Sequence, residues 1–322
     1  MDLLKLIEDK CSYFSGTPII QGLKGVVSHI EVAERHFENG KKGDDYLFTD
    51  VIYRSNHAYE GSLKEAYRVL TGKQAEHLTP NKIEEEFGKG TILKARVLTL
   101  FKNYRQEWRN ESTHDYMLCF SEQEAFLAIV NVCAFFNILL DQMIEKKAYD
   151  QEKTELLESG VIPQKQVQNE NLIEQISQYL VDFYNKAPNN ITSDLIRSHN
   201  ELIFRNESLG MLAAYIESLD KDIEVITEYP VATGERKLYA DMLVRKGENS
   251  LLIELKKATK YTADFVKSGG EQLLLYMDAA DMKYGILYIL PRISGSTKME
   301  VRKVEITRAG ENKQIMEVFP EL

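Results

Sequence analysis

The sequence predicts an α+β protein of two domains: an all-α bundle, followed by an α/β domain whose mixed sheet is flanked by helices. Three observations carry that reading. The chain has 322 residues, a length that ordinarily divides into about two domains. Up to Lys147 its apolar residues recur at the three- and four-residue spacing of amphipathic helices. Beyond Ile223 the pattern changes to short runs of Leu, Val and Ile between turn residues, with one helical stretch among them.

In the first domain, residues 1–147, helical spacing runs through Tyr59–Leu70, Ile92–Trp108 and Ser121–Ile144. Ser121 followed by Glu124 forms a capping box for the last of these. Pro80-Asn81 and Gly88 to Gly90 read as loops, and no internal repeat is visible. From Ala148 to Glu170 the chain is polar, with Gly160, Pro163 and a Gln/Asn cluster. Residues 148–175 are therefore expected to hold a linker and the start of a connecting helix, Asn171–Asn185. The second domain, residues 176–322, reads as a helix (Asp194–Leu219), a strand (Ile223–Pro230), a hairpin, a helix (Gly270–Ala280) and a buried strand (Tyr284–Leu290). Two closing strands are expected at Lys298–Ile306 and Gln314–Phe319.

Apolar content of 43% and charged content of 28% are those of an ordinary soluble protein. The longest apolar run, Ala125–Leu140, is broken by Asn131 and Asn137 and falls short of a bilayer, so no membrane span is expected. The N-terminus, MDLLKLIEDK, lacks a basic start followed by an apolar core, so no secretory signal is expected either. Cys11, Cys119 and Cys133 are scattered, which reads as thiols in a reducing cytoplasm. A net charge of −10 argues against a general nucleic-acid coat. It leaves room for a local basic patch from Arg236, Lys237, Arg245, Lys246, Lys256, Lys257, Lys260 and Lys267.

The chemistry-bearing residues lie on the hairpin. Asp241 sits in LYADMLV, and Glu254 and Lys256 sit in LLIELKKA, with a turn-like segment from Arg245 to Ser250 between them. Side chains alternate along a strand, so Glu254 and Lys256 point to one face, and Asp241 on the neighbouring strand can reach it. Two carboxylates and an ammonium among Leu and Ile are costly without tight partners. Mg²⁺, or Mn²⁺ in its place, is the matching hard cation, and a lysine beside it can orient an attacking water.

This segment resembles the PD-(D/E)XK nuclease superfamily of restriction-endonuclease-like and RecB-like enzymes, through Asp241, Glu254 and Lys256 in their order and strand context. Ala240 stands where the family often has proline. Gln272 and Tyr276 in GGEQLLLYM are similar to the accessory Gln-x-x-x-Tyr motif of RecB-like members, and four residues apart on a helix they share a face. The resemblance covers about Asp194–Leu290. It implies a metal held by Asp241, Glu254 and the Leu255 carbonyl, with Lys256 activating water. Gln272 and Tyr276 would contact phosphate or brace the lysine, and products would carry 5′-phosphate. The family's helical acid falls first on Glu207 and second on Glu201.

A second set lies in YRQEWRNESTHDYMLCF. Arg109 offers a guanidinium fork for phosphate, Asn110 a donor, and His114 a general acid or base near neutral pH. Such a set suits metal-free RNA cleavage by the substrate's own 2′-hydroxyl. The stretch resembles the HEPN family, over about Arg54–Met143, and Glu60 on an earlier helix fits the same pattern. That resemblance implies a homodimer. Trp108 reads as core, and His29, His36, His57, His77 and His199 have no partner at ligand spacing.

Together the two resemblances imply a metal-dependent nuclease, DNA favoured, with a HEPN-like dimerisation or RNase domain. They also imply an effector role in prokaryotic defence under a regulatory partner or second messenger. The alternatives are a HEPN-type RNase toxin with a nucleic-acid-sensing C-terminal domain, and a non-enzymatic nucleic-acid-binding scaffold.

Overall fold

The computed structural model describes residues 2–89, 92–94, 97, 119–159, 171–186, 201–233, 236–258, 263–291, 298–308 and 310–321. Eight helices and a six-stranded mixed sheet occur among them, so the chain is α+β. It divides into two compact units, Met1–Lys146 and Lys147–Leu322.

The described part of the first unit is helical: α1 (Leu3–Ser12), α2 (Ile20–Gly40), α3 (Tyr46–Thr71), α4 (Pro80–Lys89) and the first part of α5 (Glu122–Glu158). Asp2 caps α1 by accepting from the Lys5 amide at 3.0 Å. The predicted capping box of α5 is present: Glu124 Oε2 accepts from the Ser121 amide at 2.8 Å, and Ser121 Oγ accepts from the Glu124 amide at 3.3 Å. Pro80-Asn81 and Gly88 are not loop residues. Pro80 opens α4, where its missing N–H costs nothing, and burial of Ile83 and Phe87 holds the helix through Gly88. Among the histidines, His29 and His57 stack at 5.2 Å, and Arg54 Nη1 lies 3.4 Å from His29 Nδ1.

Helix α5 is long and apolar enough to cross a membrane by length and composition, yet 67% of its most apolar window is buried inside the protein. Val132, Phe135, Phe136, Leu139 and Leu140 are fully enclosed, the pattern of a core helix. The same helix continues through Ala148–Glu158, where the sequence reads as a linker. Tyr149 and Leu156, seven residues apart, supply the apolar stripe that packs into the second unit's core.

The second unit has three layers. The sheet, in the order β1-β2-β3-β4-β6-β5, is built from β1 (Ile223–Thr233), β2 (Arg236–Lys246), β3 (Asn249–Ala258), β4 (Tyr284–Pro291), β5 (Met299–Arg308) and β6 (Glu311–Pro320). Pairs β3–β4 and β4–β6 are parallel and the others antiparallel. On one face α6 (Leu172–Lys186) and α7 (Glu201–Leu219) pack on Leu251, Ile253, Ile286 and Tyr288. On the other α8 (Ala263–Ala279) packs on Leu252, Leu287 and Ile289. This alternation is why these strands read as continuous apolar runs, since both faces are covered.

Two details place the site. The β2–β3 turn is only Gly247-Glu248, with φ +59 at Gly247, the geometry of a type II′ hairpin that fixes the register of Asp241 against β3. Helix α8 lies close on β4: a Cβ on Gly285 would stand 2.6 Å from Met277 Sδ.

A buried ion pair ties α1 to α5. Lys10 Nζ lies 2.5 Å from Asp141 Oδ1 and donates to the Asn137 carbonyl at 3.3 Å, and its side chain is fully enclosed. Asp141→Ala is expected to destabilise the protein by about 3–5 kcal/mol in urea titrations, because it removes the carboxylate that faces a fully enclosed ammonium. The Lys10→Met/Asp141→Leu double variant is expected to recover most of that loss.

Candidate active site

The sheet and α8 bring Asp241, Glu254, Lys256, Gln272 and Tyr276 together. Asp241 and Glu254 are buried, at 4% and 3% exposure, so each needs compensation. Asp241 Oδ2 accepts from the Leu255 amide at 2.7 Å, a bond across from β2 to β3. Lys256 Nζ donates to Glu254 Oε1 at 2.8 Å and to Gln272 Oε1 at 2.6 Å. Gln272 Nε2 in turn donates to Tyr276 Oη at 2.7 Å. The chain Tyr276–Gln272–Lys256–Glu254 therefore fixes the ammonium between helix and strand.

Two participants are not legible in the sequence. Arg205 on α7 donates from Nη2 and Nε to Asp241 Oδ1 at 2.5 and 3.1 Å, and from Nη1 to Glu228 Oε1 at 2.9 Å. Glu228 is buried and lies opposite Asp241, at the one position where the β1–β2 ladder skips a pair. Its φ of +49 is a left-handed backbone that a non-glycine residue holds at a cost of about 1–3 kcal/mol. Polar residues in the strand ITEYPV and an arginine in FRNES were the available signals, and neither type is unusual in such places.

Glu207, the first candidate for the helical acid, is two residues beyond Arg205. That is about 200° around the helix, and its charge acts on Lys147. Glu201 opens α7, and its side chain lies outside the described residues, as do Arg109, Asn110 and His114 with their neighbour Trp108. Glu60 pairs with Lys64 at 2.8 Å.

Of the basic stretch, the side chains of Arg236, Lys237 and Lys260 lie outside the described residues. Arg245 pairs with Glu224, and Lys246 with the buried Asp220, both at the hairpin end of β2. Lys257 stacks its ammonium over the Phe204 ring at 3.9 Å, and Lys267 stands near Glu271.

Electrostatics mark this cluster. Burial and then the neighbouring Asp241 push the Glu254 carboxyl up to about 7, against the opposing pull of Lys256 and Arg205. Burial works against the Arg205 charge, but Asp241 and Glu228 outweigh it and hold the guanidinium protonated. Glu254 Oε2 is enclosed and accepts no hydrogen bond among the described residues. No group of three or more His, Cys, Asp or Glu at metal-binding distance occurs among them either. The acids nearest such a role are Asp241 and Glu254.

No family model, no curated protein and no solved structure matches this chain.

The raised Glu254 group sets a pH dependence. Its carboxylate is disfavoured in the fold, so no cost falls below the unfolded value near about 4.3, and the cost grows until about pH 7. Glu254→Gln is therefore expected to gain stability relative to the parent chain as pH rises from about 4 to 7 and to hold that gain above it. Thermal unfolding across that range would read the effect, and a pH-independent difference would contradict it.

Proposed function

We propose that the second unit is a metal-dependent nuclease that hydrolyses phosphodiester bonds, with DNA as the favoured substrate. The observation that carries this reading is the convergence of Asp241, Glu254 and Lys256 on one buried spot, with Gln272 and Tyr276 bracing the lysine.

The donor set fits a hard divalent cation. Glu254 keeps an enclosed oxygen that accepts no hydrogen bond among the described residues, and its repulsion with Asp241 would be relieved by positive charge. Asp241, Glu254 and the Leu255 carbonyl would hold Mg²⁺ or Mn²⁺, which supplies stabilisation of the charge that grows on the phosphate. Lys256, fixed by Glu254 and Gln272, orients the attacking water and gives the phosphate a hydrogen-bond donor. Water attacks phosphorus, the bond to the 3′-oxygen breaks, and the products carry 5′-phosphate and 3′-hydroxyl ends. Tyr276 acts through Gln272 and is a positioning residue.

The same reading makes nucleic acid the partner and places the protein among defence effectors that need a trigger, an association that rests on the pairing of the two sequence resemblances. The N-terminal unit would then serve as the dimerising half.

Purified protein incubated with plasmid DNA, single-stranded DNA and RNA, in Mg²⁺, Mn²⁺ or EDTA, tests this. DNA cutting is expected only with metal, to fall by about 10²–10⁴ in Lys256→Ala, and to persist in His114→Ala. Gln272→Ala is expected to lose roughly tenfold in rate while binding metal normally. RNA cutting that survives EDTA and is lost in His114→Ala would overturn the assignment.

A further inference from the structure

Arg205 stands directly against Asp241, one of the two acids that would hold the cation. Its fork engages two buried carboxylates at once: Nη2 and Nε on Asp241 Oδ1, and Nη1 on Glu228 Oε1. Asp241 has its other oxygen on the Leu255 amide. That amide belongs to β3, where Leu255 pairs with Tyr288 of β4, and cannot withdraw without disturbing the β3–β4 pairing. The guanidinium can withdraw, because it ends a long side chain that is one third exposed.

Charge counting shows where it would go. Asp241, Glu254 and Glu228 carry three negative charges when ionised, against two positive charges on Arg205 and Lys256. If Arg205 leaves Asp241 but stays on Glu228, those two neutralise each other. Asp241 and Glu254 are then left to face one divalent cation, and Lys256 to face a phosphodiester. Glu228 is placed for this role by the skipped ladder pair and its left-handed backbone.

We propose that Arg205 is a built-in competitor for the divalent cation, that it must leave Asp241 before the metal engages, and that Glu228 is the residue that receives it. The inference rests on the metal-dependent reading of this site. Arg205 and Glu228 are thus positioning residues that set metal affinity rather than groups that touch the reacting atoms. They act in opposite directions. Removing Arg205 frees Asp241. Removing the Glu228 charge leaves Arg205 with Asp241 as its one carboxylate and locks it there.

Mn²⁺ binding to the full chain, measured by electron paramagnetic resonance and calorimetry, tests the idea without any turnover. Arg205→Gln is expected to bind Mn²⁺ roughly tenfold more tightly than the parent chain, and Glu228→Gln roughly tenfold more weakly. Arg205→Lys keeps one charge without the fork and should fall between parent and Arg205→Gln. If Arg205→Gln fails to fold, the Arg205→Lys and Glu228→Gln pair carries the same test. A purely structural role would shift both variants in the same direction. Parent-chain binding that Arg205→Gln and Arg205→Lys leave unchanged or weaken overturns the competitor and leaves the metal site standing. Binding that appears only when Arg205 is replaced supports it. No Mn²⁺ binding in any form overturns both this inference and the metal site on which it rests.

Discussion

The second unit is organised around buried negative charge. Asp241 and Glu254 lie on adjacent strands in the middle of an apolar three-layer sandwich, and burial, with the neighbouring Asp241 second, pushes the Glu254 carboxyl up from its ordinary value. Burial of that kind survives only with compensation. Arg205 from one helical layer and Lys256 from the sheet supply it. Their positions depend on the hairpin register, the rotation of α7 and the closeness of α8.

Each layer contributes a different restraint. The short Gly247-Glu248 turn locks β2 against β3, so Asp241 meets the Leu255 amide rather than a neighbour one residue away. The close seat of α8 on Gly285 allows Gln272 and Tyr276 to reach the lysine. Helix α7, packed through Leu209, Leu212 and Ile216, carries Arg205 to the sheet from the opposite layer. The site is therefore assembled from both faces of the sheet, and its electrostatics are coupled to the packing of the whole unit. In this arrangement Arg205 and Lys256 offset part of the buried negative charge from within the chain, which is how an enclosed acidic pair can persist in the fold.

Much of the fold was legible because it is written in local periodicity. The run through Tyr284–Leu290 became β4, Gly270–Ala280 became part of α8, and the Ser121–Glu124 box caps α5. The failures were also local. Polar composition between Ala148 and Glu158 concealed a helix, because two well-spaced apolar residues are enough to dock it. Pro80-Asn81 reads as a loop yet starts a helix, since proline is harmful only once a preceding turn needs its N–H. The acids that Arg245 and Lys246 meet, Glu224 and Asp220, could not be read from the sequence, because adjacency along the chain says nothing of what a strand end will face.

The sequence by itself determined which residues form strands and helices. It also determined that Glu254 and Lys256 share a face and that Gln272 and Tyr276 stand one helical turn apart. Those are consequences of the two-residue and 3.6-residue repeats, which act over a few positions. Only the tertiary structure decided that Arg205, rather than a helical acid, faces Asp241 across 36 residues, and that Glu228 closes the bridge. The physical reason is that such contacts depend on the rotation of a helix on a sheet and on one irregular pair in a ladder. Both are set by the packing of the whole unit, and neither has a repeat that a short window can display.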